Sequence, residues 1–289
     1  MKIGIIGIGQ IGSSLARAFK KYEEHLPSVP SLLICDNNRE HLAMAEEIGL
    51  GDSYHTDLTE VAAAADLIFL CTPVNSIGPI AAAMAPHLKH GAIITDVGST
   101  KLQVLNDVKP HLPAHAHFVP GHPIAGAEFH GPLAGKPDMF ADKTYILCDD
   151  AQAPSNAAQT VSALLAAIGA NITLMPAALH DSMLAFTSHM PHLCAFATTN
   201  TAGKISQELG LNVWKFAGGS LQDMTRVAAS SVAMWRDVFL SNRAPLVAMY
   251  KQFRDEMDHL ANIIDSGDAA TIESYLTNAR AQRLKSFGS

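Results

Sequence analysis

The chain of 289 residues has little of what marks several large classes of protein. No apolar run approaches the ~20 residues that a membrane helix needs. The opening MKIGIIGIG is too short, and too interrupted by glycine, for a signal peptide. The net charge of -7 provides no basic surface for nucleic acid or anionic lipid. These absences predict a cytoplasmic protein with no nucleic-acid partner and no membrane partner.

Cysteine is scarce, and no metal-binding motif is complete. The four cysteines lie in apolar segments without a CxxC pair, which predicts reduced core thiols rather than disulfides: Cys35, Cys71, Cys148 and Cys194. In SHMPH, His189 and His192 are three residues apart and could bind a metal from one helix face. No HExxH pattern or other third ligand accompanies them, so we predict no metal. Buried, hydrogen-bonded histidines and substrate contacts remain as the two explanations.

The length and the residue pattern predict two domains, 1–175 and 176–289. The first alternates helical patterns with apolar strand-like runs, which is typical of a parallel sheet covered by helices on both faces. Those runs begin at residue 2 and continue at 31–36, 66–73, 91–99, 117–121, 144–150 and 171–175. The second domain is helical, and we expect Pro191 to kink or break its first helix. The predicted helices span 178–203, 230–242, 244–265 and 268–285. The second domain is so apolar that we also expect a homodimer formed through its helices.

A glycine motif, GIGQIG at 7–12, follows the first predicted strand and opens a helix. Gly7 would allow a tight turn, Gly9 would let a pyrophosphate approach the backbone, and Gly12 would let the helix pack closely. This order of elements predicts a doubly wound, Rossmann-type α/β domain. The residues predicted to bind the cofactor here are Gly7, Gly9, Gln10, Ile11 and Gly12.

The second and third apolar strands add cofactor contacts. Asp36 ends the second strand, where its carboxylate can accept hydrogen bonds from both ribose hydroxyls and would repel a 2′-phosphate. NAD is therefore favoured over NADP, although Arg39 nearby leaves some room for NADP. The run CTPV ends the next strand, and we expect Cys71, Thr72 and Pro73 to line the same groove.

A serine and a histidine follow two further strands. Ser99 lies in TDVGSTK and His122 in GHPIAGAEFHG, so both should reach the edge where a nicotinamide would sit. Histidine titrates near neutrality and suits the proton of an alcohol that loses hydride. A turn-capping His122 and a helix-capping Ser99 are the simpler alternative.

Other polar residues allow two explanations each. Arg226 follows Asp223 by three residues, which predicts either a helical ion pair or a guanidinium that binds a substrate carboxylate. Glu128 could begin a helix or lie in a polar pocket.

With these residues assembled, the sequence resembles the prephenate dehydrogenase family, also called cyclohexadienyl or arogenate dehydrogenases, of tyrosine biosynthesis. The resemblance runs from residue 3 to about 260. Its most specific segments are GHPIAGAEFHGP, TDVGSTK, SHMPH and DMTRVAASSVAMWRD.

The resemblance implies NAD-dependent oxidative decarboxylation of prephenate or arogenate. His122 then matches the histidine that accepts a hydrogen bond from the ring hydroxyl, and Ser99 matches the serine that helps to orient it. Arg226 matches the arginine that grips a substrate carboxylate. His189 and His192 fall in the segment that reaches the pocket, and Glu128, Asp223 and Trp235 match positions near it. Many relatives carry a basic residue where this chain has Gln222, which leaves recognition of the substrate side chain open, with prephenate or dual use favoured.

Two other functions are weighed against this one. A β-hydroxyacid dehydrogenase of the same two-domain design would need a catalytic lysine in the helical domain, and Lys204 and Lys215 lie in no matching motif. A dinucleotide-sensing protein with no catalytic activity would be expected to lack one or more of His122, Ser99 and Arg226. All three are present in this sequence.

Overall fold

The computed structural model describes residues 1–126, 131–149 and 155–288. It divides into two compact units, Met1–Arg243 and Ala244–Ser289. The strands are β1 (Lys2–Ile6), β2 (Ser31–Cys35), β3 (Ser53–His55), β4 (Leu67–Leu70), β5 (Ile93–Asp96), β6 (His117–Val119), β7 (Gly121–Pro123), β8 (Thr144–Cys148) and β9 (Asn171–Met175).

Helices connect and follow these strands. In the first unit they are α1 (Gln10–Lys21), α2 (Arg39–Glu47), α3 (Leu58–Ala64), α4 (Val74–Met84), α5 (Leu102–Val108), α6 (Ser155–Ala167), α7 (Ala177–Leu184), α8 (Met190–Leu209), α9 (Gly219–Thr225) and α10 (Val232–Ser241). Two more, α11 (Arg243–Asp265) and α12 (Ala269–Phe287), account for the second unit. Among the described residues, no helix combines the length and apolarity that crossing a bilayer requires.

Six of the strands form one parallel sheet in the order β3-β2-β1-β4-β5-β6. The order reverses between β1 and β4, and ligands of such sheets bind outside the carboxyl ends of the strands at that point. The glycine turn follows β1, Asp36 follows β2 and Thr72 follows β4. The topology therefore gathers the predicted cofactor residues at one edge.

Alternating side chains divide the core between the two faces of this sheet. Ile3 and Ile5 face one way and pack with the residues of α1 and α6. Ile6 and Ile68 face the other way and pack with α3, α4 and α5. Both faces are covered, which explains why the strands are apolar almost throughout and confirms the predicted doubly wound class.

The last three strands, β7 to β9, do not join the single sheet that the sequence predicts. β7, β8 and β9 form a separate three-stranded sheet, and β7 runs antiparallel to β8. Pro120 separates β6 from β7 and has no amide hydrogen to extend the first ladder. Instead its carbonyl accepts a hydrogen bond from Cys148 at 2.8 Å. His122 therefore lies on a strand opposite Ile146 rather than on the tight turn that its glycine and proline neighbours indicate.

The helical part begins with a nearly continuous rod, α7 and α8, joined by a π-helical turn at Ala185–His189. Pro191 lies in the first turn of α8 and crowds the carbonyl one turn earlier, which a widened turn relieves. The break predicted at Pro191 is therefore observed as a π-helical turn just before it. After Leu209, the chain makes 3₁₀ turns at Val213–Phe216 and Arg226–Ala229, on either side of α9, which the sequence pattern did not predict.

The second unit is a pair of helices joined at a left-handed glycine. Gly267 has φ 67° and Asp268 then caps α12 by accepting a hydrogen bond from the amide of Ala270 at 3.1 Å. Tyr275 donates its hydroxyl to Glu256 at 2.6 Å. None of the four cysteines, all of which the structure describes, is in a disulfide.

Candidate active site

The glycine turn has a conformation that only small residues allow. Gly7 has φ +92°, and a side chain there would meet the carbonyl of Cys71 at 2.7 Å. A Cβ on Gly12 would lie 2.1 Å from the carbonyl of Gly7, so α1 packs directly on the turn. Gly9 differs, because a Cβ there would meet no atom within 4 Å in the described part of the chain.

The N-terminus of α1 has no side-chain cap among the described residues. Its N-cap is Gly9, which provides no side-chain hydrogen bond, and no acidic residue lies in the first turn. Gln10 and Ile11 begin the helix and are half-buried. Uncapped amides and the helix dipole favour an anion such as a pyrophosphate at this position.

Asp36 is fixed beside the glycine turn by backbone amides. Ile8 donates to Oδ2 at 2.8 Å and Asn38 donates to Oδ1 at 2.8 Å. Each carboxylate oxygen keeps a further lone pair, so the group can still accept ribose hydroxyls.

The segment after β4 completes this edge. The carbonyl of Cys71 lies against the glycine turn, and Pro73 is the exposed N-cap of α4. The hydroxyl of Thr72 is buried and has no hydrogen-bond partner among the described residues. A buried polar atom without a partner is costly, and a bound ligand could satisfy it. The residues present therefore fit a dinucleotide.

His122 belongs to a buried chain of three side chains. His122 Nδ1 lies 2.8 Å from His180 Nε2, and His180 Nδ1 lies 2.8 Å from Asp181 Oδ1. His180 and Asp181 follow one another on α7, and both are buried. Sequence reasoning missed them, although a polar pair inside the apolar run PAALHDSMLAF was the signal available.

This chain fixes which nitrogen of each imidazole carries a proton. The Asp181 carboxylate only accepts, so His180 Nδ1 donates and its Nε2 accepts from His122 Nδ1. Neutral His122 therefore has an unprotonated Nε2. Within the described part of the chain this nitrogen has no hydrogen bond, so it can act as a base.

The surroundings keep His122 neutral. Burial lowers the pKa of its imidazole well below the ordinary 6.5, and the nearby groups of His180, Lys101 and His189 lower the pKa further. A neutral imidazole at physiological pH is the form that accepts a proton.

His189 adjoins the same cluster from the π-helical turn. Its Nδ1 lies 3.0 Å from Asn242 Nδ2, which also donates to the carbonyl of Asp181 at 2.8 Å. Burial is the main cause that lowers the pKa of His189 to about 4. Its Nε2 and the indole Nε1 of Trp235 are buried without a partner among the described residues.

His192 stacks on Trp235, with ring centroids 3.5 Å apart and 22° between the planes. Its Nδ1 donates to the carbonyl of Ser188 at 3.0 Å. His189 meets the same indole edge-on, at 5.9 Å between centroids. The structure therefore joins the three predicted histidines, His122, His189 and His192, through shared neighbours.

Ser99 lies in the loop after β5 and is half-buried. Its side chain has no hydrogen bond within the described ranges, whereas the next hydroxyl, on Thr100, donates to Ser241 at 3.0 Å. Its contact with a substrate stays a prediction. Glu128 lies outside the described residues, so its prediction stays open too.

Arg226 follows α9 and begins a 3₁₀ turn that packs on α8. Its side chain is exposed, as are those of Asp223 and Gln222. Asp223 has no ion pair in the part of the chain that the structure describes, so the helical pair with Arg226 is not formed. Gln222 donates to the carbonyl of Ala217 at 3.4 Å.

The fold and this cluster define a class of protein, an oxidoreductase with a nucleotide-binding sheet and a buried, neutral histidine beside it. Residues 15–174 match the model described as prephenate dehydrogenase, nucleotide-binding domain. Residues 176–278 match the one described as prephenate dehydrogenase, dimerization domain. The chain belongs to the prephenate dehydrogenase family, which confirms the resemblance drawn from its motifs.

Similar proteins agree over nearly the whole chain. A cyclohexadienyl dehydrogenase of Zymomonas mobilis is 37% identical over 282 residues, which cover 98% of this chain and 94% of that protein. A prephenate dehydrogenase of Bacillus subtilis is 30% identical over 280 residues, 96% of this chain and 74% of that protein. The crystal structure of prephenate dehydrogenase from A. aeolicus in complex with hydroxyphenyl propionate and NAD+ has TM-score 0.92 and 28% identity, covering 99% of this chain and 98% of that one.

Proposed function

We propose that the chain catalyses the NAD-dependent oxidative decarboxylation of prephenate to 4-hydroxyphenylpyruvate and carbon dioxide, with arogenate as a possible second substrate. The observation that carries the proposal is the Asp181–His180–His122 chain, which leaves a neutral imidazole whose Nε2 has no hydrogen bond with any described residue. Family membership and the similar enzyme with bound hydroxyphenyl propionate and NAD+ support it.

For the cofactor, the glycine turn, the open α1 N-terminus and Asp36 would hold the pyrophosphate and the ribose. Bound NAD would accept the hydride that leaves the substrate ring. The carboxylate of Asp36 favours NAD over NADP, because a 2′-phosphate would meet a negative charge there.

For the reaction, His122 Nε2 would accept a hydrogen bond from the hydroxyl on the ring carbon that loses hydride, and Ser99 would orient that hydroxyl. The bond between the ring and its carboxylate breaks, and its electron pair enters the ring as carbon dioxide leaves. The hydroxyl proton, held by His122 during hydride loss, remains on the phenol of the product. The balance therefore releases one carbon dioxide and no proton.

For the substrate carboxylates, we assign the grip to Arg226, with His189, His192, Glu128 and Gln222 as further contacts. An arginine can bind a carboxylate through two parallel hydrogen bonds, which fixes its orientation. Gln222 is neutral, so it offers no negative charge for the ammonium of arogenate, and prephenate is the favoured substrate.

We also propose a cytoplasmic homodimer. The match to a dimerization domain supports the dimer, and so do large apolar side chains exposed in the single chain, among them Phe186, Leu209 and Phe216. Met183, on the first predicted helix of the second domain, is exposed in the same way. Light scattering should give about twice the chain mass of 30.7 kDa, and a monomer at micromolar concentration would contradict the dimer.

Purified protein mixed with NAD and prephenate should produce NADH, which is followed by its absorbance. His122→Asn should lower turnover by ~100-fold or more, because it removes the base, while NAD affinity stays unchanged. Absence of NADH from both prephenate and arogenate would remove the proposal.

A further inference from the structure

A fully buried ion pair lies beside the histidine chain, and the chemistry proposed above does not use it. Lys101 Nζ pairs with Asp96 Oδ2, and neither side chain is exposed to solvent. Lys101 Nζ also donates to the carbonyl of Gly121 at 2.7 Å. Gly121 immediately precedes His122 on β7.

The carboxylate of Asp96 binds two separate stretches of backbone. Gly98 donates its amide to Oδ2 at 2.8 Å, and Gly121 donates its amide to Oδ1 at 3.1 Å. Gly98 precedes Ser99, so one carboxylate contacts the backbone next to both predicted catalytic side chains. Both peptide groups of Gly121, its amide and its carbonyl, are held by the ion pair.

The same segment also supports the other end of the histidine chain. The amides of Lys101 and Leu102 donate to the two carboxylate oxygens of Asp181, at 2.8 and 2.9 Å. His122 is therefore fixed at its backbone by Lys101 and Asp96, and at its ring by His180, which Asp181 holds in turn.

Stability alone gives no sufficient reason for such a pair. Removing two charges from water costs several kcal/mol per ion, and apolar replacements of buried pairs are often neutral or stabilising. The pair instead fixes the position of one sheet relative to the other. Its hydrogen bonds join the end of β5, in the parallel sheet, to β7, the strand of the separate sheet that carries His122.

We propose that Lys101 and Asp96 are positioning residues, whose ion pair holds the backbones at Gly98 and Gly121, and through them Ser99 and His122, at a fixed separation. The effect of this positioning on turnover rests on the proposed function. Its effect on the geometry of His122 does not depend on that function.

Lys101 also acts on His122 by its charge. Among the described residues, the charged and titratable groups near the imidazole are His180 and Asp181 from α7, His189 from the π-helical turn, Asp96 at the end of β5 and Lys101 after it. Lys101 is among the groups that lower the pKa of His122, after burial and His180. Loss of its charge should raise that pKa, so the protonated, inactive form should appear at higher pH.

The test compares Lys101→Met with Lys89→Met in the holoenzyme. Lys89, which follows β4, pairs with Asp66, which precedes it, and this half-exposed pair does not contact His122 or His180. Lys89→Met therefore controls for the loss of a paired lysine elsewhere in the same sheet. The double variant Asp96→Asn/Lys101→Met leaves no charge unpaired, and it serves if the single variant does not fold. Turnover, the NAD KM, and the imidazole ¹⁵N shifts of His122 against pH are measured, with His122→Asn assigning the signal.

We expect both Lys101 variants to lower kcat by ~10-fold or more, with an NAD KM within about two-fold of the original. In Lys101→Met the imidazole pKa of His122 should rise, and Lys89→Met should change neither quantity. Unchanged kcat and unchanged His122 shifts, in the single or in the double variant, would overturn the proposal. The imidazole measurement needs no substrate. If the unsubstituted enzyme made no NADH, that would count against the proposed function, and the imidazole shifts would still test the positioning role of Lys101 and Asp96.

Discussion

At the scale of single residues, the reactivity assigned to His122 comes from neighbours distant in sequence. His180 lies 58 positions away along the chain, and Asp181 sets its tautomer. Sequence patterns selected His122, Ser99 and Arg226 as candidates because each lies in a distinctive motif. They could not identify His180 and Asp181, because only the folded chain brings α7 against β7.

Asp181→Asn should weaken the preference for this tautomer, because the neutral amide lacks the negative charge that favours a proton on His180 Nδ1. One oxygen of Asp181 accepts from both Lys101 and His180, so the Asn oxygen keeps that place and its NH2 group meets the amide of Leu102. We expect kcat for NADH formation to fall by ~10-fold or more, with NAD affinity unchanged. Asp52→Asn is the control, because Asp52 also accepts from a backbone amide, that of Leu32 at 2.7 Å. Equal kcat in the two variants would contradict the assigned tautomers.

At the scale of elements, the β1-turn-α1-β2 unit follows directly from local pattern, and the structure agrees with it. The second sheet does not follow, because the apolar runs at 144–148 and 171–175 have the composition of strands but no local signal of their partners. The strand β3 was missed because SYH is short and half-buried. Likewise, spacing around Pro191 predicts a break, whereas the π-helical form depends on how the helix packs.

The glycine turn gives a prediction at this scale. Gly9→Ala should change the melting temperature little, since a Cβ there meets no atom of the described residues within 4 Å. It should weaken NAD binding by ~10-fold or more, because the methyl group would occupy the space of the pyrophosphate. Titration of NAD by protein fluorescence measures this.

Gly203→Ala is the control for NAD binding, since its site in α8 is also open to a Cβ among the described residues. It should leave NAD affinity unchanged, and it should raise the melting temperature because alanine favours a helix interior by about 1 kcal/mol over glycine. If Gly9→Ala kept full NAD affinity, the pyrophosphate would not lie on this turn.

At the scale of the whole molecule, buried neutral histidines make stability depend on pH. The pKa of His189 is about 4 in the folded chain and about 6.5 in an unfolded one. As the pH falls from 6.5 towards 4, the unfolded chain takes up a proton that the folded chain does not, so the free energy of unfolding falls. This is worth up to about 3 kcal/mol, and the lowered pKa of His122 acts in the same direction.

Urea unfolding at pH 7 and pH 5 should therefore show lower stability at the acidic pH. His189→Gln should reduce that difference, because it removes one of the two groups. Equal differences in the original and the variant would show that His189 is not held neutral.

The central claim is that His122 is already a neutral base at physiological pH, and the pH profile of kcat/KM for NADH formation from prephenate tests it most directly. This ratio reports the titration of the free enzyme. Because the pKa of His122 lies well below 6.5, we predict that kcat/KM stays level from about pH 8 to below about pH 6. A decline that begins at the ordinary histidine pKa, near 6.5, would contradict the account.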